Sequence, residues 1–192
     1  MITSIEQLDL TKPYTFQDYI SWKFKERVEL FKGYVAKMSP ALTSRHQEVC
    51  GDLHGLIWSF LRKKPCKVFL APFDVYLPTI QGDGLTVVQP DLCVICDVSK
   101  IKKQGCIGSP DLIIEVLSLG NSRKEISNKF QIYEQAGVRE YWVVFPYEQV
   151  IQQYILNNGV FQAIPISENT IKSEILEGFE LDIDAVFGSI SE

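Results

Sequence analysis

No uninterrupted apolar run in the 192 residues approaches the ~18–20 needed for a membrane-spanning helix. This predicts a protein without membrane partners. Residues 1–10 carry Glu6 and Asp9 and lack the basic-then-apolar pattern of a secretory signal, which predicts a cytoplasmic location. A basic surplus is also missing: 19 Lys and Arg face 24 Asp and Glu, a net charge of −5. The composition therefore has no global nucleic-acid-binding signature. Positive charge gathers only in short clusters, Arg62-Lys63-Lys64 with Lys67, Lys100 to Lys103, and Arg123-Lys124. Each taken alone reads as a solvated helix end or loop. No Walker loop, GxSxG elbow or glycine-rich dinucleotide fingerprint occurs, which sets aside the enzyme classes built on them.

Cysteine is present but patterned for neither disulfides nor zinc. The five residues, at 50, 66, 93, 96 and 106, are odd in number and read as small buried hydrophobes in a reducing compartment. Cys93 and Cys96 have CxxC spacing, but strand alternation across residues 92–96 sends them to opposite faces, and no second ligand pair follows.

What is there is a well-stocked core. With 46% hydrophobic residues, the chain fits a single domain over 1–192. Thr15 caps a short helix to about Phe24, and Arg27 to Phe31 and Tyr34 to Met38 form a hairpin around Lys32-Gly33, stopped by Ser39-Pro40. Val49, Leu53, Ile57 and Phe60 recur at helical spacing in residues 42–63, and His46 and Cys50 extend that stripe. Strands are expected over 68–77 and 86–95, a loop over 98–109, and a strand over 111–117. Asn121 or Ser122 caps a helix ending at Gly137. A strand over 138–145, a hairpin over 150–155 and 160–164, and a short helix over 183–187 complete an α/β or α+β domain.

Glu115 is the residue that calls for chemistry. It interrupts the apolar run Leu112 to Leu117, where an unpaired carboxylate is costly to bury. Such a residue is a site candidate by default. Pro90-Asp91 and Pro110-Asp111 precede apolar runs and also read as strand punctuation. Asp91 and Glu115, from neighbouring strands, converge on one divalent cation, for which Mg²⁺ or Mn²⁺ suits hard oxygen ligands. Lys124 and Lys129 lie on the next helix, and Lys129 shares a face with Ile132, Tyr133 and Ala136. Spacing alone allows Lys129 to be a snorkelling surface residue equally well. His54 reads as a surface residue, and Tyr141-Trp142 as core rather than a base-stacking pair.

Gln89 to Leu92, Gly108 to Ser118, and Lys129 to Tyr133 followed by Gly137 to Val144 together resemble the Uma-type putative restriction endonuclease family of the PD-(D/E)xK nuclease superfamily. The resemblance extends to Val28 to Gly33, Met38-Ser39-Pro40 and His46, nearly the whole chain. It implies a restriction-endonuclease-like αβββαβ core, a mixed sheet flanked by helices, with additional N- and C-terminal β-hairpins. It also implies metal-dependent hydrolysis of DNA phosphodiester bonds. Asp91 matches the metal-binding aspartate and Glu115 the (D/E) position. Leu117 stands where the motif lysine falls, and Lys129 matches a lysine relocated to the following helix. Glu29 matches an acidic residue that completes the metal site, and His46 a supporting histidine. Glu125 replaces an aspartate frequent in the family, and Phe145-Pro146 replaces Asp-Pro.

Two functions follow. One is an Mg²⁺- or Mn²⁺-dependent endonuclease acting on DNA, with Asp91, Glu115, Lys129, Glu29 and His46 as its site and a homodimer pooling its basic surface. The other is a non-catalytic descendant of the fold serving as a binding or assembly module, which the acidic balance favours.

Overall fold

The computed structural model describes residues 2–24, 26–37, 43–78, 84–166 and 169–188. Met38, Ser39 and Pro40 lie outside them. The short N-terminal helix α1 (Phe16–Ser21) is capped by Thr15 and ends earlier than its pattern suggested. The first hairpin, β1 (Val28–Phe31) and β2 (Tyr34–Lys37), follows as expected. Next comes the long helix α2 (Ser44–Leu61), capped by the Thr43 hydroxyl, which accepts from His46 N at 3.2 Å.

The strands expected over 68–77 and 86–95 are each broken in two. The pieces are β3 (Lys67–Leu70) and β4 (Val75–Leu77), then β5 (Thr86–Val88) and β6 (Leu92–Ile95). β3 pairs with β6 and β4 with β5, so residues 67–77 and 86–95 make two long arms bent across two sheets. The bends fall at Pro72 and Pro90, where proline has no N–H to offer a ladder. Hydrophobic pattern alone does not show such a switch.

Residues 98–109, expected as a loop, form a 3₁₀ turn and the strands β7 (Ile101–Lys102) and β8 (Gly105–Ile107). Gly105 has φ +138°, and a Cβ there would lie 2.1 Å from the Asp74 carbonyl oxygen, so only glycine fits this approach. The remaining elements are β9 (Leu112–Val116), α3 (Arg123–Ala136), β10 (Glu140–Phe145), β11 (Val150–Asn157), β12 (Val160–Ile164), β13 (Thr170–Lys172), β14 (Glu180–Asp182) and α4 (Ile183–Phe187). The small β13–β14 pair was not anticipated.

One six-stranded sheet runs β2-β1-β5-β4-β8-β7 and the other β12-β11-β10-β9-β6-β3. Both are mixed: β9 and β10 run parallel, as do β4 and β8. On one face of the second sheet, Val49, Leu53, Ile57 and Leu61 of α2 pack on Leu92, Leu112, Ile114 and Trp142. Each such side chain, fully buried, contributes about 1.5–3 kcal/mol. The opposite face, carrying Cys93, Ile113, Tyr141 and Val143, meets Tyr133 of α3 together with Val75 and Val88 from the first sheet.

The cysteines divide. Cys50, Cys93 and Cys106 are buried free thiols, but Cys66 and Cys96 form a disulfide, contrary to the reading of all five as reduced hydrophobes. The cause is register: β3 and β6 pair Lys67 with Ile95, so the next pair outward sets residues 66 and 96 face to face. No helix among the described residues is long and apolar enough to cross a membrane.

Candidate functional site

Glu29, His46, Asp91, Glu115 and Lys129 line one narrow cleft, partly open to solvent. They come from β1, α2, the Pro90 bend, β9 and α3, so no two share an element.

Asp91 stands where the second bent arm enters the second sheet. Its carbonyl accepts from Ala71 N at 3.0 Å, which ties the two bends together. Its Oδ2 accepts from Val116 N at 2.8 Å and faces His46 Nε2 at 3.3 Å. The Val116 contact places Asp91 against the end of β9, beside Glu115.

Glu115 projects from β9 on the Ile113 face, level with Val143. Its Oε1 accepts from Tyr133 Oη at 2.5 Å and from Lys129 Nζ at 2.9 Å. Burial pushes its carboxyl up to about 7. Lys129 pulls the other way, while the charges of Asp91 and Glu29 add to the rise.

Lys129 and Tyr133 are four apart on α3 and so share its inward face. Ser122 caps that helix by accepting from Glu125 N, and Gly137, at φ +79°, terminates it. Only 8% of Lys129 is exposed. Its ammonium reaches Glu115 at 2.9 Å and Glu29 at 3.4 Å. Burial opposes its charge, but the two carboxylates prevail and hold it above the usual lysine range. The snorkelling alternative is therefore not what the fold adopts.

Glu29 is buried in β1, and its Oε1 also accepts from Gln89 N at 2.9 Å. His46 is buried between two partners, with Nδ1 3.6 Å from Cys50 Sγ and Nε2 toward Asp91. Burial, with the charges of Asp91 and Glu115, pushes the Cys50 thiol up. The thiol therefore stays protonated and donates to Nδ1, which leaves the Nε2–H to donate to Asp91.

The donor chemistry fits a hard divalent cation. One oxygen of each carboxylate is tied down, whereas Glu29 Oε2, Asp91 Oδ1 and Glu115 Oε2 take no hydrogen bond among the described residues. Asp91 and Glu115 are the pair suited to hold such an ion. Glu29 is set off from them by Lys129, and the three carboxylates do not all close to within 4.8 Å. Among the described residues, the group that does is His46, Cys50 and Asp91. Its imidazole already spends one nitrogen on each neighbour, and its thiol is protonated, so it suits neither a hard nor a thiolate-bound metal.

Other residues singled out from the sequence lie elsewhere. Asp111 accepts from Cys96 N at 2.7 Å and pairs with Arg139 at 3.2 Å, which makes it strand punctuation. Lys124 is exposed and His54 half-buried. Trp142 is core, while Tyr141 reaches the cleft wall. Sequence reasoning missed the roles of Tyr133, Gln89 and Arg27, all of which touch the cleft or its carboxylates. Only Tyr133 had a signal, its helical phase with Lys129.

Two mixed sheets with helices on both faces of one of them, and a carboxylate pair beside a buried lysine, define a restriction-endonuclease-like α/β protein. The chain belongs to the Uma2 family, described as putative restriction endonuclease, whose model matches residues 16–184. It is similar in structure to a putative nuclease of the DUF820 group from Anabaena variabilis ATCC 29413, with a TM-score of 0.72 at 19% identity. That match covers 92% of this chain and 98% of the other. No curated protein matches the chain.

Proposed function

We propose that this chain is an Mg²⁺- or Mn²⁺-dependent endonuclease that hydrolyses DNA phosphodiester bonds, acting as one domain. The observation that carries this reading is the meeting of Asp91, at the bend leading into β6, and Glu115, on the neighbouring β9, with Lys129 from the following helix in one open cleft. Asp91 and Glu115 would hold the cation, with Glu29 as the outer member of the set. The cation, when bound, supplies charge to the scissile phosphate and acidifies water.

The chain's own residues do the rest. Lys129 balances Glu115 and Glu29 and puts a fixed positive charge where negative charge develops during phosphoryl transfer. Tyr133 and Lys129 together fix one oxygen of Glu115, leaving the other directed to the cleft. His46 and Val116 N fix Asp91 in the same way. Pairing of two copies would pool the exposed basic clusters, and sedimentation at micromolar concentration tests for that dimer. A cytoplasmic location would oppose the Cys66–Cys96 disulfide, so alkylation before lysis followed by mass spectrometry tests it: the bond found intact argues against that location.

The decisive experiment incubates supercoiled, linear and single-stranded DNA with the protein and Mg²⁺ or Mn²⁺, with Asp91→Asn and Glu115→Gln alongside. Cleavage by wild type that both variants lose supports the reading. Absence of both cleavage and carboxylate-dependent Mn²⁺ binding sinks it and leaves a non-catalytic module.

A further inference from the structure

Arg27 precedes β1 and borders the same cleft. Its guanidinium is held by one edge: Nε donates to Gln89 Oε1 at 2.8 Å. Its Nη2 is shielded from solvent and has no acceptor among the described residues. Leaving such a charged donor unmatched is costly, and a proper acceptor would recover that cost.

The holding of that edge is built, not incidental. Gln89 Nε2 donates to Asp74 Oδ1 at 2.7 Å, which fixes the amide so that its oxygen must face Arg27. Asp74 in turn accepts from Tyr19 Oη and Tyr76 Oη, each at 3.2 Å. Burial first, then the Asp74 charge, pushes both phenols up, so both remain donors. The Gln89 backbone N–H meanwhile donates to Glu29, joining this network to the carboxylates. Five side chains therefore aim one guanidinium whose Nη2 is unmatched among the described residues.

Charge says what that guanidinium is for. Three carboxylates, Glu29, Asp91 and Glu115, face Lys129 in this cleft. A divalent cation would cancel the remaining negative charge and no more. A phosphodiester arriving there needs one further cation, and Arg27 is its source. Guanidinium is permanently charged and presents two parallel donors to oxyanion geometry, which an ammonium does not.

We propose that Arg27 is the oxyanion-binding residue of the cleft, taking the non-bridging oxygens of a phosphate group with its outer N–H fork while Gln89 and Asp74 orient it. The assignment rests on the nuclease reading for its substrate, a DNA phosphodiester, but its anion chemistry can be tested separately.

The test begins on the wild-type protein with Mg²⁺ present, following the Arg27 Nε–H resonance by ¹H–¹⁵N NMR while inorganic phosphate is added. A saturable shift is expected. In Arg27→Gln phosphate affinity should fall at least tenfold, and Arg27→Lys should recover only part of it. Mn²⁺ affinity, read by electron paramagnetic resonance, should stay unchanged or tighten, which also reports that the variants are folded. For a short duplex bound in Ca²⁺, the slope of log affinity against log salt should fall by about one in Arg27→Gln. No shift in wild type, or equal phosphate affinity in Arg27→Gln, overturns the proposal. The two readings fail differently. Wild-type-like cleavage by Arg27→Gln, still dependent on Asp91 and Glu115, removes Arg27 and keeps the nuclease. Phosphate binding at Arg27 without DNA binding or cleavage keeps the anion site and removes the nuclease.

Discussion

Lys129 Nζ and Glu115 Oε1 meet at 2.9 Å between a helix and a strand, both groups removed from bulk water. Neither side chain is at rest alone in that setting. Each is the other's main compensation for burial, and their properties have to be predicted as a pair.

Glu115 is raised from 4.5 to about 7 on folding. The folded protein therefore binds this proton more tightly than the unfolded chain. Metal-free stability should fall as pH rises through roughly 4.5 to 7, by on the order of 3 kcal/mol. Mn²⁺ affinity should move oppositely, climbing with pH to about 7 and then levelling, because binding must expel the proton. Denaturant melts and Mn²⁺ titrations at several pH values check both, and Glu115→Gln should flatten the first.

Lys129→Met strands Glu29 and Glu115 without their cation. Metal-free stability should drop by about 3–5 kcal/mol, as when one partner of a buried pair is removed. Saturating Mn²⁺ should restore part of that loss in a thermal melt. Cleavage should stay low, by roughly 10²–10³-fold, even with metal bound.

His46→Ala should weaken Mn²⁺ binding by about 10–100-fold while Asp91 remains present, because the imidazole fixes that carboxylate's orientation. Cys50→Val should have a milder effect in the same direction, since it removes only the donor that sets the imidazole tautomer. Isothermal titration of both variants orders them, and the reverse order would break the Cys50–His46–Asp91 chain of reasoning.

Glu140 offers a control outside the cleft. It is fully buried and accepts from Trp142 Nε1 at 2.6 Å, Gln153 Nε2 at 2.9 Å, Ser173 Oγ at 2.8 Å and Ile175 N at 3.1 Å. Glu140→Ala should cost about 3–5 kcal/mol in chemical denaturation. Mn²⁺ affinity of the remaining folded protein should match wild type, which separates buried acids that hold structure from those that face the cleft.

Helices α2 and α3 were legible because packing on a sheet demands apolar residues at helical spacing, and the α3 caps, Ser122 and Gly137, act within a few residues. Glu115 stood out because a charge in an apolar strand has few innocent explanations. Glu140 is just as deeply buried, yet it begins a strand after Arg139 and looks like a surface charge. The strands over 67–95 were misjudged because a switch between sheets leaves the apolar pattern continuous on both sides of Pro72 and Pro90. Arg27 was illegible for another reason. Its partner Gln89 is 62 residues away, and a lone arginine before a strand resembles any other.

The bent arms also constrain how this chain can vary in length. Gln89 faces Asp74 and Arg27 from the first sheet, and Asp91, two residues on, faces His46 from the second. A residue added or lost between them would turn β6 over relative to β5, exchanging Leu92 and Val94 with Cys93 and Ile95 between opposite cores. Related chains should therefore accept insertions between Leu77 and Thr86, beyond the ends of both arms, and keep a single residue between Gln89 and Asp91. That fixed interval is a ruler, and descendants that lengthen it would lose the cleft before they lost the fold.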